Sequence, residues 1–412
     1  MTATLHDGGS PEIYINVRPN AVSVMVDGST VYTFDRAGRI LTAVIEDRTY
    51  RRGLDNRMLE IRRAAGTHGS GRRTRRLDPG EARHVVEGIQ QDVGNALAAV
   101  TSGSAWKGPE GLASPEAALW LRRIGGVGWD ALVADAGKLA KVYRPVSILP
   151  PDQYLALVIQ VTEGCGFNRC TFCSLYRDRP FRVKTRAELR EHTESVLMYF
   201  GEGISIRKSV FLADANAMCI PDDVLLPMLD DVNSVLPLRA THPGGHLKGI
   251  YSFVDAFSDR GPDLRRYEAM RDRNVRRLYL GVETGCGSLL RFLHKPQSPG
   301  NMRDTMLAIK DAGLDLGVII MLGIGGDRFS TRHVDETLDL LAGIPWGAGD
   351  LIFLSPLVEQ AGSEYSILAG QAGIRGLSED GMSSQGDSLR EGIRRIGGSP
   401  RIALYGIEEF MY

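Results

Sequence analysis

From residue 152 onward the sequence predicts an α/β fold built on a parallel sheet, with a smaller α+β domain in front of it. Three observations carry that reading. Six apolar runs alternate with helical stretches over about two hundred residues, the pattern of strand–helix units. The first 145 residues differ, with short β-branched runs first and amphipathic helices after them. Between the two lies RPVSILPP (144–151), too rich in proline to be helical throughout. The expected division is an N-terminal domain over 1–146, a core over 147–360 and a C-terminal extension over 361–412.

Composition narrows the class. The chain has 412 residues, 43% hydrophobic and 24% charged, as in ordinary globular proteins. A formal net charge of −1 gives no global attraction to nucleic acid or anionic membranes. No apolar stretch approaches the ~18 residues that span a bilayer. MTATLHDGGSPEIYINV has neither a basic nor an apolar leader region, so secretion is not expected. Five cysteines, clustered rather than paired, fit a reducing cytoplasm.

In chain order, EIYINV, AVSVMV, TVYTF and ILTAVI (12–46) read as a small antiparallel sheet. RPN, DGS and DRAGR separate them, and Asp27-Gly28 is a hairpin signal. Residues 48–76 hold ten arginines against Asp55 and Glu60. They read either as a solvated helix and loop or as a phosphate- or nucleic-acid-binding face, with few aromatics for base stacking. EARHVVEGIQQDVGNALAAV, SPEAALWLRRI and GWDALVADAGKLAKVY read as helices, the second opened by Ser114 and Pro115.

The six expected parallel strands are YLALVIQV (154–161), SVFLA (209–213), GIYSFV (249–254), RRLYLGV (276–282), LDLGVIIML (314–322) and LIFLS (351–355). A partial barrel and a flat doubly wound sheet both satisfy this periodicity, and in either the chemistry belongs at the carboxyl ends of the strands. Directly after the first strand come Cys165, Cys170 and Cys173, a C-x4-C-x2-C spacing. Thiolates select soft metals and iron–sulfur clusters, and three on one short loop suit a [4Fe–4S] cube with one iron free of protein. Gly164 and Gly166 let the backbone turn around Cys165, and Phe172 is placed to shield a cluster from water.

The run CGFNRCTFCSLYRDRPFR resembles the cluster loop of radical S-adenosylmethionine (SAM) enzymes. The x4 gap and the basic run after it are similar to the subgroup related to the Elongator catalytic subunit. The resemblance covers roughly residues 150–360 and implies a partial (β/α)6 TIM-type barrel. It also implies site residues at the strand ends. Asp214 and Asn216, in ADANA after the second strand, would face the SAM amino group, with Ala215 where the family has glycine. Glu283, in YLGVETG, would offer a carboxylate to the ribose or the amino-acid part of SAM. Met321 and Gly323, in IIMLGIGGD, and Ser355 and Leu357 would form the adenine edge.

Other candidates read as structural. Cys219 and Cys286 are expected to be small buried hydrophobes rather than ligands. His242 and His246 lie in a loop before the third strand, on the face without chemistry. Tyr176, Arg177 and Arg179 are placed to hold the cluster loop or the SAM carboxylate. The function implied is reductive cleavage of SAM to a 5′-deoxyadenosyl radical that takes hydrogen from a small, anionic metabolite. An electron donor such as flavodoxin or ferredoxin would serve as partner, and residues 1–146 or the C-terminal tail would shape the substrate pocket. The alternatives are RNA modification using the arginine-rich segment, and a non-enzymatic iron–sulfur or zinc protein.

Overall fold

The computed structural model describes residues 2–5, 13–63, 72–102, 106–107, 114–242, 244–257, 261–359 and 362–412. The chain forms two compact units. One comprises Met1–Pro145, Glu194–Lys208 and Glu408–Tyr412; the other comprises Val146–Thr193 and Ser209–Ile407.

The first unit carries a nine-stranded antiparallel sheet. Seven strands from Ile13–Val17 to Arg72–Arg76 follow one another as a meander, and Thr2–Leu5 and Trp106–Lys107 add to the Ile13–Val17 side. Strand Val22–Val26 alternates buried and half-buried positions, as one face turned to a core requires. Asp27 and Gly28 both take positive φ in the hairpin that follows it. Val22, Val24 and Phe34 pack with Val86, Ile89 and Val93 of helix Pro79–Thr101 in one apolar core. That helix starts at Asp78 with a capping box to Glu81 and Pro at its first position.

The arginine-rich stretch corrects the expectation of a helix and loop: it forms strands Arg48–Arg52, Met58–Arg63 and Arg72–Arg76. GTHGSG (66–71) falls outside the described residues. Glu60 is buried and lies 2.7 Å from Arg62, 3.5 Å from Arg75 and 3.8 Å from Arg48. Burial opposes ionisation of Glu60, yet these arginines hold its carboxyl below the usual range. Arg75 also pairs with Glu81 at 2.7 Å. Glu60 and Glu81 thus engage Arg48, Arg62 and Arg75, three of the ten arginines of this stretch.

The second unit is a seven-stranded parallel sheet with strands in chain order, the core of a partial TIM-type barrel. Its strands are Ala156–Gln160, Ser209–Ala213, Ile250–Val254, Val275–Glu283, Asp315–Leu322, Leu351–Pro356 and Arg401–Leu404. The first two are buried at every position, which explains their uninterrupted apolar sequence. Six strands were expected, and the seventh comes from the C-terminal extension, pairing Leu351 with Arg401. Arg401–Leu404 is short and largely exposed, so its sequence carries little strand signal.

The amino ends of the strands are tied by polar side chains. Arg277 donates to Asp152 at 2.8 Å and to the Gly349 carbonyl at 3.1 Å. Tyr279 donates its hydroxyl to Asp152 at 2.6 Å, and Ser209 donates to Gln153 at 2.7 Å. His242 contacts the Asn233 carbonyl at 3.1 Å, so it too has a structural partner. The carboxyl ends are left to a different set of residues.

Candidate functional site

The first strand runs into a loop closed at its neck by a two-stranded ladder, Thr162–Glu163 against Arg182–Val183. Glu163 accepts from Arg182 at 2.9 Å and Lys184 at 2.7 Å. Chiefly through Arg182, its carboxyl is pulled down to about 2. Gly164 follows at φ +77, where a Cβ would stand 2.8 Å from the Pro180 carbonyl oxygen. Only glycine fits that turn.

Each stretch between the cysteines is anchored. The Asn168 backbone N–H donates to Cys165 Sγ at 3.4 Å, and its side chain donates to the Tyr176 carbonyl at 2.8 Å. Arg177 donates to the carbonyls of Cys173 at 3.2 Å and Cys170 at 3.1 Å. The Thr171 N–H donates to the Leu293 carbonyl at 3.1 Å, while the Thr171 carbonyl accepts from the Tyr365 N–H at 3.2 Å. Burial pushes the Cys170 thiol up to about 11 and raises that of Cys173, and the neighbouring cysteines add to both shifts. Desolvated thiols such as Cys170 and Cys173 ionise favourably only around a cation. The donor set fits a cluster on those grounds. Among the described residues, no three His, Cys, Asp or Glu side chains converge as they would around one metal ion. Thiolates bound to different irons of a cube stand farther apart than the ligands of a single ion.

The turn after the second strand braces this loop on both sides of Cys165. Asp214 is buried, and its carboxylate accepts from Gln160 at 3.2 Å and from the Gly164 N–H at 3.3 Å, with Arg179 at 3.5 Å. Burial raises its pKa against these partners. Asn216 accepts from the Gly166 N–H at 3.0 Å and donates to Asp255. The Thr162 hydroxyl donates to the Ala215 carbonyl at 2.9 Å. The positive φ of this turn falls on Asn216, at +59, so Ala215 needs none of glycine's freedom. Both side chains are committed to the loop.

Glu283 ends the fourth strand at φ +60, next to a register shift in the sheet. It is 8% exposed and accepts from Lys295 Nζ at 2.8 Å. Gly285 lies against helix Gly326–Leu341, where a Cβ would stand 2.2 Å from the Glu336 carbonyl oxygen. From that helix, His333 meets the Thr284 hydroxyl at 2.8 Å, while its Nε2 has no hydrogen-bond partner among the described residues. Burial lowers the His333 pKa to about 4. A depressed folded pKa means that the unfolded chain binds the proton more tightly. The stability of neutral His333 is therefore complete above its unfolded pKa of about 6.5 and is lost as pH falls toward 4. The expected loss is about 3 kcal/mol, read by urea unfolding at several pH values. His333→Leu should remove this part of the pH dependence, and an unchanged slope would refute the assignment.

The fifth and sixth strands complete the rim. Phe172, Met321 and Leu357 all pack on one apolar cluster that includes Leu289, Leu293, Ile324, Tyr365 and Cys286. The shielding residue of the cysteine loop and two residues of the expected adenine edge therefore share one surface. Gly323 donates its N–H to Gln385 at 2.8 Å and its carbonyl accepts from Gly326 at 3.1 Å. The Ser355 hydroxyl donates to the Tyr405 carbonyl at 3.0 Å. These polar groups have internal partners, which leaves Met321 and Leu357 as the apolar members of the edge. Cys286 sits fully buried in the cluster as packing. Cys219 accepts from the Asp255 N–H at 3.5 Å, and burial pushes its thiol far up.

Tyr176 is buried beneath Arg179, whose guanidinium carbon is 5.7 Å from its ring centroid. Arg179 reaches Asp214, as above, and also donates to Ser147 at 3.2 Å. Two residues were not singled out in the sequence: Lys295 sits in LHKPQ, and Asp255 is one acid in a loop. Tyr365, in the run AGSEY that resembles the family's closing strand, donates its N–H to the cysteine loop while its hydroxyl accepts from the Gly325 N–H at 2.9 Å.

A family model described as the radical SAM superfamily matches residues 159–341. No curated protein matches the chain. Among solved structures, the cobalamin-dependent SAM radical enzyme OxsB is 15% identical, with a TM-score of 0.34 over 57% of this chain and 30% of its own. Coproporphyrinogen III oxidase from Escherichia coli is 12% identical, with a TM-score of 0.40 over 66% of this chain and 56% of its own. SuiB of Streptococcus suis is 13% identical, with a TM-score of 0.42 over 88% of this chain and 72% of its own. The chain thus spans about a third of the length of the OxsB structure. No helix among the described residues is long and apolar enough to cross a membrane. The match covers the cysteine loop and the strand ends that follow it, so residues 159–341 are similar to the radical SAM superfamily, whose members use a [4Fe–4S] cluster and SAM.

Proposed function

We propose that this protein cleaves SAM reductively and uses the resulting radical to take hydrogen from a small metabolite. The observation that carries the reading is the three-cysteine loop, braced at Cys165 by Asp214 and Asn216 and facing the apolar cluster of Phe172, Met321 and Leu357. Cys165, Cys170 and Cys173 would hold the cluster, which when bound with SAM supplies the radical chemistry. Asp214 and Asn216 would set the backbone around Cys165 through their bonds to Gly164 and Gly166, and would offer further acceptor capacity to the SAM ammonium. Glu283 would orient SAM by accepting from its hydroxyls or ammonium. Met321 and Leu357 would offer apolar contact to the adenine, and the Phe172 ring would exclude water. An electron from a flavodoxin or ferredoxin would be required for each cleavage.

A small substrate is favoured over RNA because the formal net charge of −1 gives no overall attraction to a phosphate backbone, and Arg48, Arg62 and Arg75 already face Glu60. Binding of a tRNA pool measured between low and physiological salt tests the choice. Weak binding with a shallow salt slope is expected, and tight, steeply salt-dependent binding would shift the reading to RNA modification.

A further inference from the structure

We propose that Lys295 is a positioning residue that raises the reduction potential of the cluster held by Cys165, Cys170 and Cys173; this rests on the reading above. Lys295 follows the short helix Gly287–Phe292 in the segment LHKPQ. The cysteine loop is fastened at this point, since the Thr171 N–H and hydroxyl both donate to the Leu293 carbonyl, at 3.1 and 3.4 Å. The ammonium of Lys295 lies 5.9 Å from the centroid of Phe172, a residue of the short gap between Cys170 and Cys173. Its side chain is only 11% exposed, and Glu283 pairs with it at 2.8 Å.

An ammonium removed from water is costly, and pairing with one carboxylate only partly offsets that cost. Burial pulls the Lys295 pKa down, and the Glu283 carboxylate 2.8 Å away raises it. That ion pair holds the ammonium charged beside Phe172 of the cysteine loop. Reduction adds one electron to a cluster, and a fixed positive charge nearby favours the state that carries it. Glu283 opposes this field but also keeps the ammonium in place. Losing the lysine charge removes the favourable field and leaves the carboxylate uncompensated, so both changes favour the oxidised state.

The test is an EPR-monitored redox titration of the full-length, anaerobically reconstituted protein without SAM, comparing wild type, Lys295→Gln and Lys295→Arg. In Lys295→Gln the ratio of reduced to oxidised cluster at a fixed poise should fall at least tenfold. For a one-electron couple that is a midpoint about 59 mV more negative. Lys295→Arg keeps the charge and should stay near wild type. A Lys295→Gln midpoint equal to that of wild type overturns the proposal. If Lys295→Gln takes up no cluster, normal loading of Lys295→Arg supports a charge role, and equal failure of both variants overturns it. Wild-type protein that binds no cluster would overturn the underlying reading as well, so the two failures are distinguishable.

Discussion

Cys170→Ala is expected to abolish cluster binding, whereas Cys286→Ala should retain iron and sulfide at the wild-type level. Cys170 sits on the loop gripped by the Leu293 carbonyl and the Tyr365 N–H, with Arg177 on its own carbonyl. Burial disfavours its free thiolate, so only a bound cation makes the ionised sulfur stable. A cube left with two protein thiolates lacks the ligand set that suits it. Cys286 is 0% exposed inside the apolar cluster, with its sulfur 3.2 Å from the Ser288 hydroxyl. Its removal leaves a small void without touching the loop. Iron and sulfide analysis with visible absorption after anaerobic reconstitution reads both variants. Equal iron in Cys170→Ala and wild type would reject the ligand assignment.

Glu283→Ala should weaken SAM binding about ten- to hundredfold in protein that still carries its cluster. That range corresponds to roughly 1.5–3 kcal/mol for a lost charge-assisted hydrogen bond. The structure adds a second expected effect. Removing one partner of a buried ion pair leaves Lys295 uncompensated, at a cost of roughly 3–5 kcal/mol in stability. Glu283→Gln keeps an acceptor for Lys295 and should be less destabilised while still losing SAM affinity. Calorimetric titration of SAM into loaded protein, with urea unfolding alongside, separates the two consequences. Unchanged SAM affinity in loaded Glu283→Ala would refute its role in binding.

Much of this architecture was legible in the sequence because burial writes it there. Ala156–Gln160 and Ser209–Ala213 are covered at every position, so their residues are almost uniformly apolar. The cysteines were legible because thiolates at that spacing on a loop suit few other uses. Arg48–Arg52 and Arg72–Arg76 were not read as strands, since arginine at seven of their ten positions hides the alternation by which a half-buried strand is recognised. The edge strand Arg401–Leu404 left too short and too exposed a trace. The side-chain roles at the rim needed coordinates for another reason. Asp214 and Asn216 carry atoms suited to an ammonium, and only their placement shows that they also accept from Gly164 and Gly166. Lys295 lies twelve residues beyond Glu283 and far from the cysteines, and no helical or strand periodicity reports a contact of that kind.

The most direct test of the central claim is SAM cleavage by the full-length protein after anaerobic reconstitution and reduction with dithionite. The account predicts about four irons per chain, lost on replacing the three loop cysteines, and formation of 5′-deoxyadenosine and methionine that depends on the cluster. A protein that binds only zinc, or that carries its cluster yet forms no 5′-deoxyadenosine, would contradict it.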